Sequence, residues 1–211
     1  MSGVLQGFVF VTHGGFMMIP LLLSLLAALS VIFERLYLFH ARYLTSRETV
    51  LKIFEEVKGF GFEAALAACK KEQGPVADVL LAGIAHFQNP LAEMELAMKN
   101  RAEEWIPRLE RRIELIDTVI TAAPLMGLLG TITGMMASFQ VLSEKGVNEP
   151  NAITGGVAEA LIATATGLVI ALVCLVAYNY LTARVKNFIY EIESMASRLV
   201  ELRLATERAK S

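Results

Sequence analysis

The chain has 211 residues, of which 55% are hydrophobic and 19% charged, and its mean hydropathy is +0.53. Ordinary soluble domains carry roughly 25% charged residues, so this composition excludes one. A net charge of -2 and the lack of a basic stripe exclude a nucleic-acid partner.

Between Ser2 and Phe33 there is no Asp, Glu, Lys or Arg. The charged start of a signal peptide is missing, so the first apolar run is expected to be retained. Phe16 to Phe33 (FMMIPLLLSLLAALSVIF), with its flanks, reaches the roughly 20 residues a spanning helix needs. The run stops at Glu34 and Arg35, with Tyr37 and Tyr43 as interface anchors, and Pro20 is tolerable near its start. A first span over residues 16–36 is expected, after a short outward segment at 1–15.

Residues 37–115 read as polar and helical, with breaks at KEQGPV (Lys71 to Val76) and QNPLAE (Gln88 to Glu93). Asn89-Pro90, with Glu93 and Glu95 behind it, signals a helix start. Leu91, Met94, Met98, Trp105, Leu109, Ile113 and Ile116 recur at helical spacing, which predicts one helix running into the next span, bent at Pro107. Arg101, Glu104, Arg108, Arg111 and Arg112 form a charged face, read as solvated. His13, His40 and His86 lie outside the expected spans and read as incidental, and Trp105 as packing. Cys69 and Cys174 read as free thiols.

A second span is expected over 116–142, an outer turn at 143–152 (SEKGVNEPNA, with Gly146 and Pro150 as breakers) and a third span over 153–181. The third continues as an amphipathic tail, 182–211, with Val185, Phe188, Ile189, Ile192, Met195, Leu199 and Leu202 in one stripe. A helix of about 55 residues reaches about 80 Å, so the tail is expected to leave the bilayer and self-associate along that stripe. Every Lys and Arg except Lys145 lies between Arg35 and Arg112 or after Leu181. Positive-inside places those segments in the cytoplasm and the N-terminus and outer turn outside.

The second and third spans carry the chemistry. AAPLMGLLGTITGMMASF (Ala122 to Phe139) and GGVAEALIATATGLVIALVCLVAYNYL (Gly155 to Leu181) are crowded with small residues, as packed helices and pore walls are. Glu159 is their unpaired carboxylate, roughly 9 Å from the outer end of the third span. An acid there is a functional-site hypothesis by default. Asp117 stands only at the inner edge of the second span. One acid near one face cannot relay a proton across roughly 30 Å. Either water fills a pore or another chain brings a second carboxylate, and the second is favoured. Hydroxyls at Thr131, Thr133, Ser138, Thr164 and Thr166 can solvate such an acid, although a membrane threonine often just bonds its own backbone one turn back. Gly127, Gly130 and Gly134 read as helix-packing notches, and Met135 and Met136 as packing. Glu159 has a structural alternative, as an acid satisfied by a neighbouring subunit. No metal spacing, phosphate loop or nucleophile triad is present, so neither enzyme activity nor a cofactor is expected.

These two motifs, the short turn between them and the three-span layout resemble the ExbB/TolQ/MotA proton-channel family. The likeness is closest to ExbB/TolQ-type subunits, since MotA has an additional span. It implies an all-α integral membrane protein with long helical cytoplasmic extensions in the bacterial inner membrane, ring-forming and expected to be a pentamer. The ring would surround an ExbD/TolR-type single-span partner bearing an intramembrane Asp. Beyond that partner would stand a TonB/TolA-type envelope-spanning protein, driven by proton flow. Carried over by residue, Thr131 matches the pore threonine of the second span and Thr164 that of the third. Glu159 matches the acid before the latter, and Pro124 the proline near the start of the second motif. A non-conducting membrane scaffold and a flagellar-stator-like subunit are the alternatives.

Overall fold

The structure, a computed structural model, describes residues 15–41, 43, 47–59, 61–72, 74–145 and 150–210. Of the expected outward segments, residues 1–14 and 146–149 lie outside the described residues, and His13 with them. The described chain is helical: α1 (Met18–Ala41), α2 (Arg47–Lys58), α3 (Phe62–Lys71), α4 (Pro75–Ala85), α5 (Leu91–Glu110), α6 (Ile113–Lys145) and α7 (Pro150–Lys210). Among the described residues, three stretches are long and apolar enough to cross a membrane, Met18–His40, Leu91–Glu144 and Thr154–Arg208. The chain divides into two compact units, Met1–Phe33 with Arg112–Asn179, and Glu34–Arg111 with Tyr180–Ser211.

The first unit is built for an apolar solvent. Leu23, Leu26, Leu125, Leu128, Leu161, Leu168, Leu172 and Val176 are all more than half exposed. An apolar surface of that extent on a soluble monomer would be an aggregation hazard, whereas lipid or neighbouring chains cover it at little cost. Its interior holds large residues such as Leu21, Ile116 and Ile170, and beside them a run of small ones. Ala123, Ala160 and Ala163 are buried, together with Gly127, Gly130, Gly134 and Gly167.

The second unit has a conventional core. Ile53 and Val57 of α2, Ala65 and Cys69 of α3, Val79, Leu80 and Ile84 of α4, and Met94 and Met98 of α5 pack with Ile192 and Leu199 of α7. Gly74 and Pro75 start α4, with proline in the first turn where no backbone N–H is missed. Pro90 precedes α5, and Asn89 Nδ2 donates to Glu93 Oε2 at 2.9 Å. An aromatic group fixes one end: Phe39 lies 5.5 Å from Phe188, and Tyr43 meets Trp105 edge-on at 5.5 Å. Trp105 Nε1 donates to Asp78 Oδ2 at 3.0 Å.

Two expectations are corrected here. The helix from Leu91 does not run unbroken into the next span, because α5 stops at Glu110 and α6 starts at Ile113. Arg111 is extended at its ψ of 130° and Arg112 left-handed at φ 63°, so the i to i−4 ladder cannot pass through them. Pro107, where a bend was expected, lies inside α5. The amphipathic stripe of the tail is not free to self-associate: Val185, Phe188, Ile192 and Leu199 are buried within their own chain. Ile192 and Leu199 share the core of α2–α5, so the stripe is covered within the chain.

Burial pushes the Cys69 thiol from about 9 up to about 11. The folded chain then holds a proton that the unfolded chain loses between those values, so stability falls as pH rises through that window. Thermal unfolding should therefore show a loss of stability from pH 9 to 11 that Cys69→Ala flattens. Alkylation of Cys69 at pH 9 should be slow in the native protein and fast after denaturation.

Candidate functional site

Within the first unit, α6 and α7 lie against each other antiparallel along a seam of small residues. A Cβ on Gly134 would stand 2.8 Å from the carbonyl oxygen of Gly156 and 3.0 Å from Ala160 Cβ. One on Gly127 would stand 3.0 Å from both the Ala163 carbonyl oxygen and Thr164 Cα, and one on Gly167 would meet the Ala123 carbonyl. Backbone therefore faces backbone at Gly127, Gly134 and Gly167, whereas Gly130 faces the side chains of Ala163 and Met17. Lipid tails are as apolar as leucine, so helices in a bilayer gain their adhesion from such close approach rather than from a hydrophobic drive. Positions 123, 127, 130, 134 and 138 on one helix face 156, 160, 163 and 167 on the other, each row stepping by three or four.

A side-chain hydrogen bond crosses the seam. Thr164 Oγ1 donates to the carbonyl oxygen of Gly127 at 2.9 Å. The other hydroxyls expected in a pathway each donate to a carbonyl on their own helix. Thr131 donates to Leu128 O at 2.6 Å, Ser138 to Gly134 O at 3.1 Å and Thr166 to Ile162 O at 2.8 Å. Thr133 reaches both Leu129 O and Gly130 O at 3.1 Å. Ser138 is 5% exposed and packs against Gly156, in the seam itself. Thr131 and Thr166 are half-buried and Thr133 exposed. Pro124 is half-buried inside α6, beside the seam position Ala123.

Glu159 is half-buried on α7, its carboxylate against Gly15 just before α1. At about 100° per residue, Glu159 and Thr164 stand roughly 140° apart around the helix, whereas Thr166, seven residues on, returns to the Glu159 stripe. The structure thus aligns Glu159 with Thr166 and turns Thr164 toward α6. Thr131 is joined by hydrogen bond to neither Glu159 nor Thr164 among the described residues. Sequence reasoning overlooked Gly156, Ala160, Ala163 and Gly167 as the matching half of the seam, and Gly15 altogether. The three-four spacing of small residues was the available signal for the first group.

Residues 71–194 match the MotA/TolQ/ExbB proton channel family. A putative biopolymer transport protein, ExbB-like 3 of Synechocystis sp., is 34% identical over 169 residues, covering 79% of this chain and 80% of that protein. The chain belongs to this family. The biopolymer transport protein ExbB of Aquifex aeolicus is 38% identical over 87 residues, 41% of this chain and 59% of that one. The Tol-Pal system protein TolQ of Haemophilus influenzae is 36% identical over 121 residues, 54% and 51% of the two chains. The matched region of this proton-channel family member includes the whole α6–α7 seam, with Glu159, Thr131 and Thr164.

If the Thr164 bond pins the two helices, Thr164→Val should cost about 1 kcal/mol while Thr164→Ser costs less. Gly134→Leu should cost several times more, because the backbone of Gly156 cannot yield. Denaturant-induced unfolding of the purified protein in mild detergent would rank the three variants.

Proposed function

We propose that this chain is an inner-membrane proton-channel subunit that converts proton motive force into mechanical work for an envelope transport process. In this reading several copies, five by resemblance, form a ring around a single-span ExbD/TolR-type partner, and a TonB/TolA-type protein receives the movement. The spans are residues 16–36, 116–142 and 153–181, with the N-terminus and the 143–152 turn outside. The segments 37–115 and 182–211 lie in the cytoplasm, as the placement of Lys and Arg favours.

The observation that carries the reading is Glu159, half-buried in the third apolar helix of a member of a proton-channel family. A carboxylate at that depth is costly to maintain without a use for it. Each proton crossing the membrane releases about 2.3 kcal/mol per 100 mV, enough to drive a neutral/charged switch on a partner carboxylate. Thr131 and Thr164 are assigned to the pathway with Glu159, and Ser138 and Thr166 flank it. A hydroxyl that donates to a backbone carbonyl keeps its lone pairs, so these side chains remain able to accept a bond from water or from a protonated acid.

One observation favours a non-conducting scaffold: the hydroxyls of Thr131, Thr133, Ser138, Thr164 and Thr166 all donate to backbone carbonyls. Proton flux into liposomes under an imposed potential, with and without the single-span partner, separates the two. Flux that requires the partner, and drops at least tenfold in Glu159→Gln and Thr131→Val, is expected of the channel. Intact complexes that conduct nothing, or variants that conduct like the wild type, would leave the scaffold.

A further inference from the structure

We propose that Gly15 is a positioning residue for Glu159, keeping open the space in which that carboxylate rests. The proposal builds on the reading of Glu159 as part of the proton path.

Two independent constraints select glycine at this position. The backbone of Gly15 is left-handed at φ 68°, where a side chain is disfavoured. In addition, the place where a Cβ would stand is taken by Glu159: its Oε1 and Cδ overlap that position, and its Cγ lies 2.9 Å away. The glutamate therefore lies directly on the main chain of residue 15, and any side chain there must push it aside. Two residues further on, Met17 Cβ lies 3.5 Å from where a Cβ on Gly130 would stand. The start of the first span thus touches α7 through Gly15 and α6 through Met17. A glutamate has three side-chain torsions and would otherwise wander. The wall at Gly15 removes part of that freedom, and it ties the rest position of the Glu159 carboxylate to the start of α1.

Two measurements on the full chain test this. Glu159 Cβ is one bond from Cγ, so it falls within about 4.5 Å of a Cβ at residue 15, the separation a disulfide bridges. Gly15→Cys/Glu159→Cys, with Cys69 and Cys174 replaced by alanine, should form an internal disulfide on oxidation in membranes, read by thiol mass-tagging. In liposomes with the single-span partner, Gly15→Ala should lower proton flux about tenfold. Gly15→Ala/Glu159→Gln should be no worse than Glu159→Gln alone. Gly15→Ala/Glu159→Asp, whose carboxylate is drawn back by one methylene, should conduct better than Gly15→Ala, a rescue that general misfolding would not show. Absence of the disulfide, wild-type flux in Gly15→Ala, or losses that multiply in the double variant would overturn the proposal. A disulfide that forms in a protein whose parent conducts nothing would show the contact to be real and the channel reading to be wrong, and the positioning role would fall with it.

Discussion

Helices surrounded by lipid must satisfy their backbone groups internally, and they gain nothing from hiding apolar side chains from one another. What remains to hold them together is close approach. In this chain that requirement is met by the glycines and alanines at 123, 127, 130, 134, 156, 160, 163 and 167, which bring two backbones into contact. Along the seam itself, large residues are displaced outward as a result. Leu125, Leu128, Leu161, Leu168 and Leu172 are exposed because the inner face has no room for them. An inward seam of small residues and an outward shell of leucines are two sides of one constraint.

The same constraint shapes the chemistry. With the seam filled by backbone, the polar groups of the spans are sorted by where they stand around α6 and α7. Thr164 and Ser138 face inward, the first bonding across to Gly127 and the second packed on Gly156. Glu159 and Thr166 share a different stripe of α7. The second unit follows water's rules instead, with branched and aromatic residues inside and charges such as Lys58 paired with Glu55 outside at 2.8 Å.

The long apolar helices were legible because charge is excluded from lipid: runs without Asp, Glu, Lys or Arg announce themselves. The breaks before α4 and α5 were legible because Gly74-Pro75 and Asn89-Pro90 act locally. Other features were not. The α2–α3 break carries its signal in Gly59 and Gly61, and went unread within a polar stretch. The break at Arg111–Arg112 has no signal at all, since Glu110 and both arginines are good helix formers. The tail stripe was visible as a pattern, but periodicity does not say what covers a stripe, and Ile192 and Leu199 found their cover in α2–α5. In the site, Glu159 and Thr164 stood out by type, and their angular separation could have been counted from the five-residue step between them. Gly15 could not be found that way. Its importance comes from a side chain about 140 residues distant whose approach no local pattern encodes.

A seam of near-identical small residues adheres well but measures poorly. One glycine is much like the next, and the rows on α6 and α7 repeat every seven residues, so sliding one helix by two turns would again set small against small. Buried polar groups are a known means of choosing among such equivalent alignments. Thr164 bonded to Gly127 serves as that index mark, making one alignment of the hairpin cheaper than its neighbours. The place of Glu159 along the hairpin is thus set with the help of a threonine hydroxyl.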